Sequence, residues 1–188
     1  MLFRSEYLTN PLGIDIRHPR LFWNCEGGVR QTAYQIICEQ WDSGKVLSSS
    51  MHTDYPRNLS DRERVSWKVR LWDENDAPDE WSEPAFFETG ISRWEASWIT
   101  GDYRVDKKQR YPVDCFRKVF TVRNVRKARL YITTCGLYEA ALNGRRVGDF
   151  ILAPGITDYK KRIQYQTYDV TALLVTGDNV LTVQLADG

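Results

Sequence analysis

No stretch of this 188-residue chain approaches the run of roughly 20 apolar residues that crosses a bilayer as a helix. A large charge excess is missing too, since 26 Lys and Arg stand against 25 Asp and Glu. A bulk electrostatic partner, whether nucleic acid or an anionic membrane, is therefore not expected. The basic clusters at 107–110, 126–129 and 160–162 have acids interspersed among them and read as solvated strand edges. The start, MLFRSEYLTN, carries an acid and polar residues where a secretory signal needs an apolar core. That places the protein in the cytoplasm as an expectation. Internal repeats, low-complexity tracts and glycine-rich phosphate loops are also missing.

Metal-ligating residues are scarce. The four cysteines, Cys25, Cys38, Cys115 and Cys135, form no C-x-x-C pair, and only His18 and His52 could join them in a zinc site. Buried thiols are expected instead of disulfides, because Cys38 alternates with Tyr34 and Ile36 on one face of a strand. Neither histidine has a nearby Ser or Cys arranged as a nucleophile, so both read as surface residues. No cofactor and no metal are expected.

What is present has a period of two. Val65, Trp67, Val69 and Leu71 alternate with Ser66, Lys68 and Arg70, and Leu181, Val183 and Leu185 alternate with Thr182 and Gln184. Turn signals fall between such runs, at 42–44, 75–78, Asn143-Gly144, Pro154-Gly155 and Gly177-Asp178. Short strands punctuated this often predict an all-β chain of sandwiches, with no helical stripe longer than about two turns. The alternation fails between Phe86 and Pro112, which divides the chain into modules at 1–93 and 94–188.

The order of residues also carries a resemblance. Pro19, Leu21 and Trp23, then Ala33–Ile36, Trp41–Gly44, Trp67–Arg70 and Trp81-Ser82 resemble the N-terminal module of bacterial α-L-rhamnosidases, glycoside hydrolase family 78. Phe116–Lys118, Ala128–Tyr131, Gly136–Glu139 and Leu142–Gly144 resemble the sandwich that follows it. So do Leu152–Gly155, Thr157–Tyr159, Arg162 and Tyr165–Thr171. The chain departs from that pattern at Ile156, where the family often has tryptophan, in the more acidic loop Asp73–Glu80, and at the final LADG, where the family continues.

The resemblance implies a fibronectin type III-like sandwich followed by an incomplete jelly-roll, carbohydrate-binding-like sandwich. It implies an accessory fragment, inactive by itself, of an enzyme that hydrolyses terminal α-L-rhamnosyl linkages. The expected partner is the downstream catalytic domain, an (α/α)₆ barrel that bears the carboxylates. Two other readings remain: a fibronectin-like adhesion module, suggested by Trp81-Ser82, and the sandwiches of a β-galactosidase-like enzyme, suggested by 168–183. Some related sandwiches hold rhamnose with calcium, so weak affinity for a rhamnose-containing glycan is expected.

Candidate chemistry concentrates in Leu142–Leu174. Asn143, Arg145, Asp149, Asp158, Tyr159 and Arg162 offer hydrogen bonds and an aromatic face for a sugar, with Tyr165 and Tyr168 as further stacking surfaces. Each element there also has a structural reading. Asn143-Gly144 predicts a type I′ hairpin, Pro154-Gly155 a type II turn, Gly148 a bulge, and Asp169 or Thr171 the cap of a helical turn over 172–174. The acidic loop 73–80 lacks the spacing of a calcium loop and reads as a solvated hairpin tip. If the chain ends at Gly188, residues 181–185 lie at an exposed edge, and self-association is expected.

Overall fold

The computed structural model describes residues 3–25, 30–104, 106 and 108–187. Met1 and Leu2 of the opening segment, Lys107 of the basic cluster and the final Gly188 lie outside the described residues. The chain forms two compact units, Met1–Trp94 and Glu95–Gly188. Among the described residues no helix is long and apolar enough to cross a membrane.

The first unit contains β1 (Phe3–Ser5), β2 (Leu12–Ile14), β3 (Arg20–Trp23), β4 (Ala33–Cys38), β5 (Trp41–Asp42), β6 (Val46–Leu47), β7 (His52–Asp54), β8 (Arg64–Trp72) and β9 (Ala85–Thr89). One sheet has the order β1-β3-β7; the other runs β2-β9-β8-β4-β5, with β6 also on β4. Their apolar faces meet in a core that holds Leu21, Trp23, Ile36, Trp67, Val69 and Phe87, each almost fully buried. The alternation read in β8 is real: Val65, Trp67, Val69 and Leu71 all point into this core.

Trp72 is buried as well, although it belongs to the opposite face of β8. Cations cover it there. Arg70 lies 4.9 Å and Lys45 4.9 Å from its ring, and Arg70 also stacks 4.6 Å from Trp81. The Trp81-Ser82 segment thus extends the sheet, with Ser82 Oγ accepting the Val69 N–H at 3.0 Å. The acidic loop closes on itself, because Asp73 Oδ1 accepts the N–H groups of Asn75 and Ala77 at 2.9 and 2.8 Å.

The second unit contains β10 (Asp114–Val122), β11 (Arg129–Thr133), β12 (Leu137–Leu142), β13 (Arg145–Arg146), β14 (Tyr165–Asp169) and β15 (Gly177–Ala186), with a 3-10 turn over Thr171–Leu173. A four-stranded sheet, β10-β15-β12-β13, packs on the two-stranded sheet β11-β14. Tyr138, Ala140, Leu142, Val147, Ala153 and Val170 are buried between them, with Leu130, Ile132 and Leu181 partly covered. Both units are antiparallel except for the β2–β9 pair.

Two expectations are corrected here. Residues 181–185 are not at an edge, because β15 lies between β10 and β12 and pairs with both. The edges of this sheet are β10, which carries Arg117 and Lys118, and β13 (Arg145–Arg146), and such charge discourages edge-to-edge pairing. None of the four cysteines is in a disulfide and none is buried: Cys25 and Cys38 are half-covered, and Cys115 and Cys135 are exposed. Cys115 fails the expectation because it lies on the outward face of the edge strand, next in sequence to the half-buried Phe116. Cys135 fails it because it sits in the exposed bend that precedes β12.

Trp67→Ala is expected to destabilise the first unit by about 3–5 kcal/mol, the range for truncating a buried aromatic. Leu47→Ala, at a position 79% exposed, should change it by less than about 0.5 kcal/mol. Denaturant melts of the two variants check this, and equal shifts would contradict the assigned core.

Candidate functional site

The stretch 142–174 begins with the hairpin that joins β12 to β13. Leu142 pairs with Arg145, leaving a two-residue loop in which Asn143 and Gly144 have φ of 53° and 76°. Positive φ at both positions is the type I′ condition, which suits Asn followed by Gly. The Asn143 side chain reaches back into the sheet instead of outward. Its Oδ1 accepts the Val180 N–H at 2.9 Å, while Nδ2 donates to Leu173 O at 2.9 Å and to Asn179 Oδ1 at 2.7 Å.

Asn179 completes this clasp from β15 and is fully buried. Its Nδ2 donates to the carbonyls of Val175 and Gly177 at 2.8 and 2.9 Å, and its Oδ1 also accepts the Val175 N–H at 2.9 Å. Nothing in the sequence singled out Asn179. Its usable signal is position, an Asn that occupies an inward place in an otherwise apolar alternation.

The other candidates are spread along the unit. Arg145 is exposed, with Nη1 3.4 Å from Ala172 O, and Asp149 is exposed in the loop after β13. Asp158 closes a turn: its carbonyl accepts the Lys161 and Arg162 N–H groups at 2.8 and 2.9 Å, and its carboxylate accepts the Lys160 N–H at 3.1 Å. Lys161 Nζ lies 3.3 Å from the same carboxylate, and the Arg162 side chain is exposed. Tyr159 uses its hydroxyl to accept the Gly136 N–H at 3.1 Å. Gly136 and Asn143 bracket β12, so at the strand rise their ends lie about 23 Å apart. Asn143 and Tyr159 therefore serve opposite ends of β12.

Tyr168 turns inward. Its ring leaves no room for a side chain at residue 148, where an added Cβ would fall 2.2 Å from it, so Gly148 is a packing requirement and not a bulge. The Tyr138 hydroxyl lies 3.3 Å from those of Tyr168 and from Gln166 Oε1, and burial raises its pKa well above the ordinary phenol value.

The turn at Pro154 also differs from expectation. Ala153–Pro154 is cis, and the Gly155 N–H donates to Leu152 O at 3.0 Å, so proline is the third residue of the turn instead of the second. The 3-10 turn starts one residue early, after Val170, with no side-chain cap. Asp169 instead accepts the Thr171 N–H at 3.0 Å and pairs with Arg129 at 2.8 Å. Burial pushes the Asp169 carboxyl up, but the Thr171 hydrogen bonds and the Arg129 charge hold it below the usual range. A carboxyl held ionised in this way cannot serve as the general acid of glycoside hydrolysis. No cluster of three or more His, Cys, Asp or Glu able to hold a metal occurs among the described residues.

Comparison with known proteins identifies this arrangement. The family model described as Rha78A-like, N-terminal immunoglobulin domain matches residues 2–93, and the α-L-rhamnosidase N-terminal domain matches residues 123–188. The chain belongs to the N-terminal part of the α-L-rhamnosidase family. An α-L-rhamnosidase of Formosa agariphila is 38% identical over 210 residues, aligning with 98% of this chain and 23% of its own length. The solved α-L-rhamnosidase of Dictyoglumus thermophilum superposes with a TM-score of 0.88 at 36% identity, covering 100% of this chain and 25% of that one. The Aspergillus terreus α-L-rhamnosidase gives a TM-score of 0.87 at 32% identity, covering 99% of this chain and 23% of that one. The chain thus spans about a quarter of the length of the rhamnosidases it matches.

Asn179→Ala in this rhamnosidase segment is expected to cost about 3 kcal/mol or more, because it leaves several buried backbone groups unpaired at once. Arg145→Ala should cost less than about 0.5 kcal/mol, and paired urea melts distinguish the two. Asp169 titrates lower when folded, so its stabilisation is complete above the ordinary carboxylate value and is lost as pH falls through the folded value. Asp169→Asn should flatten the acid side of a melting-temperature profile between about pH 5 and about pH 2. An unchanged profile would contradict the assignment.

Proposed function

We propose that this chain is the accessory N-terminal part of an α-L-rhamnosidase. Hydrolysis of terminal α-L-rhamnosyl linkages is then carried by carboxylates outside the 188 residues. The observation that carries this reading is the commitment of the polar residues of 142–174 to their own backbone, above all Asn143, Asp158, Tyr159 and Asp169. The restriction of the similarity to about a quarter of each relative supports it. The two sandwiches support a larger catalytic region and supply none of the reacting groups.

The adhesion reading finds less support, since it calls for paired cysteines and none of the four is in a disulfide. The β-galactosidase-like reading finds less as well, because the matched relatives are α-L-rhamnosidases. Cysteines outside disulfides, two of them exposed, suit a reducing compartment and favour a cytoplasmic location. The edge strands of the larger sheet, β10 and β13, carry Arg117, Lys118, Arg145 and Arg146, charges that oppose self-association by edge pairing there. Asn143, Asp158 and Tyr159, three of the residue types suited to a rhamnose-containing glycan, are engaged with backbone groups of the unit itself, which favours support over sugar binding as its role.

The purified 188-residue chain is expected to show no turnover of an aryl α-L-rhamnoside and no heat with millimolar L-rhamnose, with or without calcium. Substituted for the matching quarter of the Dictyoglumus thermophilum enzyme, it should leave that enzyme active. Turnover by the isolated chain, abolished by a point change within it, would overturn the proposal.

A further inference from the structure

The loop between β13 and β14 inverts the usual arrangement of a surface loop. Phe150, Ile151, Leu152 and Ile156 are 52, 73, 65 and 72% exposed, while Ala153 and Pro154 between them are buried. The backbone that presents these four side chains is tied down. Ala153 O accepts the Tyr138 N–H at 2.8 Å, Pro154 O accepts Gln166 Nε2 at 3.2 Å, and Phe150 O accepts Arg146 Nη2 at 3.3 Å. Leu152 is held at φ 57°, a region that branched residues rarely adopt unless their surroundings impose it. Four exposed apolar side chains on one short, fixed stretch of backbone have the character of an interface.

We infer that this loop is the seam on which the remaining part of an α-L-rhamnosidase seats, an inference that rests on the accessory role proposed above. The relatives carry about three-quarters of their length outside the matched region, a body roughly three times larger that is available to pack against this quarter. Charge selects that body over a second copy. Around the loop, exposed Arg145, Arg146, Lys160, Lys161 and Arg162 outnumber exposed Glu139, Asp149 and Asp158, with Arg146 and Lys161 paired to Glu139 and Asp158. Two copies meeting here would oppose like charges, while a partner with an acidic rim around an apolar pocket is complementary. Of the four side chains only Phe150 offers the flat aromatic face that saccharide platforms use; Ile151, Leu152 and Ile156 suit a protein surface.

The test uses the chimera in which this chain replaces the matching quarter of the Dictyoglumus thermophilum α-L-rhamnosidase. Ile151→Asp and Ile156→Asp are expected to shorten the half-life of its activity at a fixed elevated temperature at least tenfold. The same changes should leave the melting of the isolated chain where it was. Leu47→Asp, on the other unit and as exposed, serves as control and should not change the half-life. An active chimera indifferent to both loop changes would sink the seam alone. An inactive, unfolded chimera before any substitution would sink the accessory reading, and the seam with it. A stable dimer of the isolated chain that Ile151→Asp dissolves would also overturn the inference, in favour of a second copy.

Discussion

The second unit depends on one pair of side-chain amides. Asn179 enters the core from β15 and Asn143 meets it from the β12–β13 turn, and between them they pair backbone groups of Leu173, Val175, Gly177 and Val180. Strand β15 runs through the middle of the larger sheet, so whatever fixes its start also sets its register against both neighbours. A buried amide is stabilising only when fully paired, since each orphaned group costs about 1–3 kcal/mol. The clasp is therefore all or none. It also ties the hairpin turn to the 3-10 turn that leads into β15.

The fold was legible wherever a strand had one dry and one wet face. Val65 to Leu71 needs only a period of two, and Asn143-Gly144 needs only the steric rule for positive φ. Tertiary covering was invisible at the same level. Trp72 is covered by Arg70, its neighbour on the same face of β8, and by Lys45, which arrives from the turn between β5 and β6 and which no local pattern announces. Residues 181–185 look like an edge when the chain is read to its end, yet β15 returns between two earlier strands. The Pro154 turn closes from Gly155 N–H to Leu152 O, one residue earlier than the Pro-Gly pair suggests.

The candidate site was partly legible for a related reason. Residue types suited to sugar binding are the same types that cap turns and bind backbone, and here the second use accounts for Asn143, Asp158 and Tyr159. What separates the two uses is the partner each side chain finds, a backbone group in every case. Meanwhile the surface with an unmet need is apolar. Polar side chains of this stretch turn inward to hold the sheet, and Ile151, Leu152 and Ile156 turn outward. A search for chemistry passes over such residues, because they carry none.

The central claim is that the Asn143 amide serves the sheet. Native-state hydrogen exchange at the Val180 amide tests it most directly, because that N–H donates to Asn143 Oδ1. Asn143→Ala should remove most of the Val180 protection while the amides of the first unit exchange as before. Unchanged protection at Val180 would contradict the account, and would return Asn143 to the surface as a residue free for a ligand.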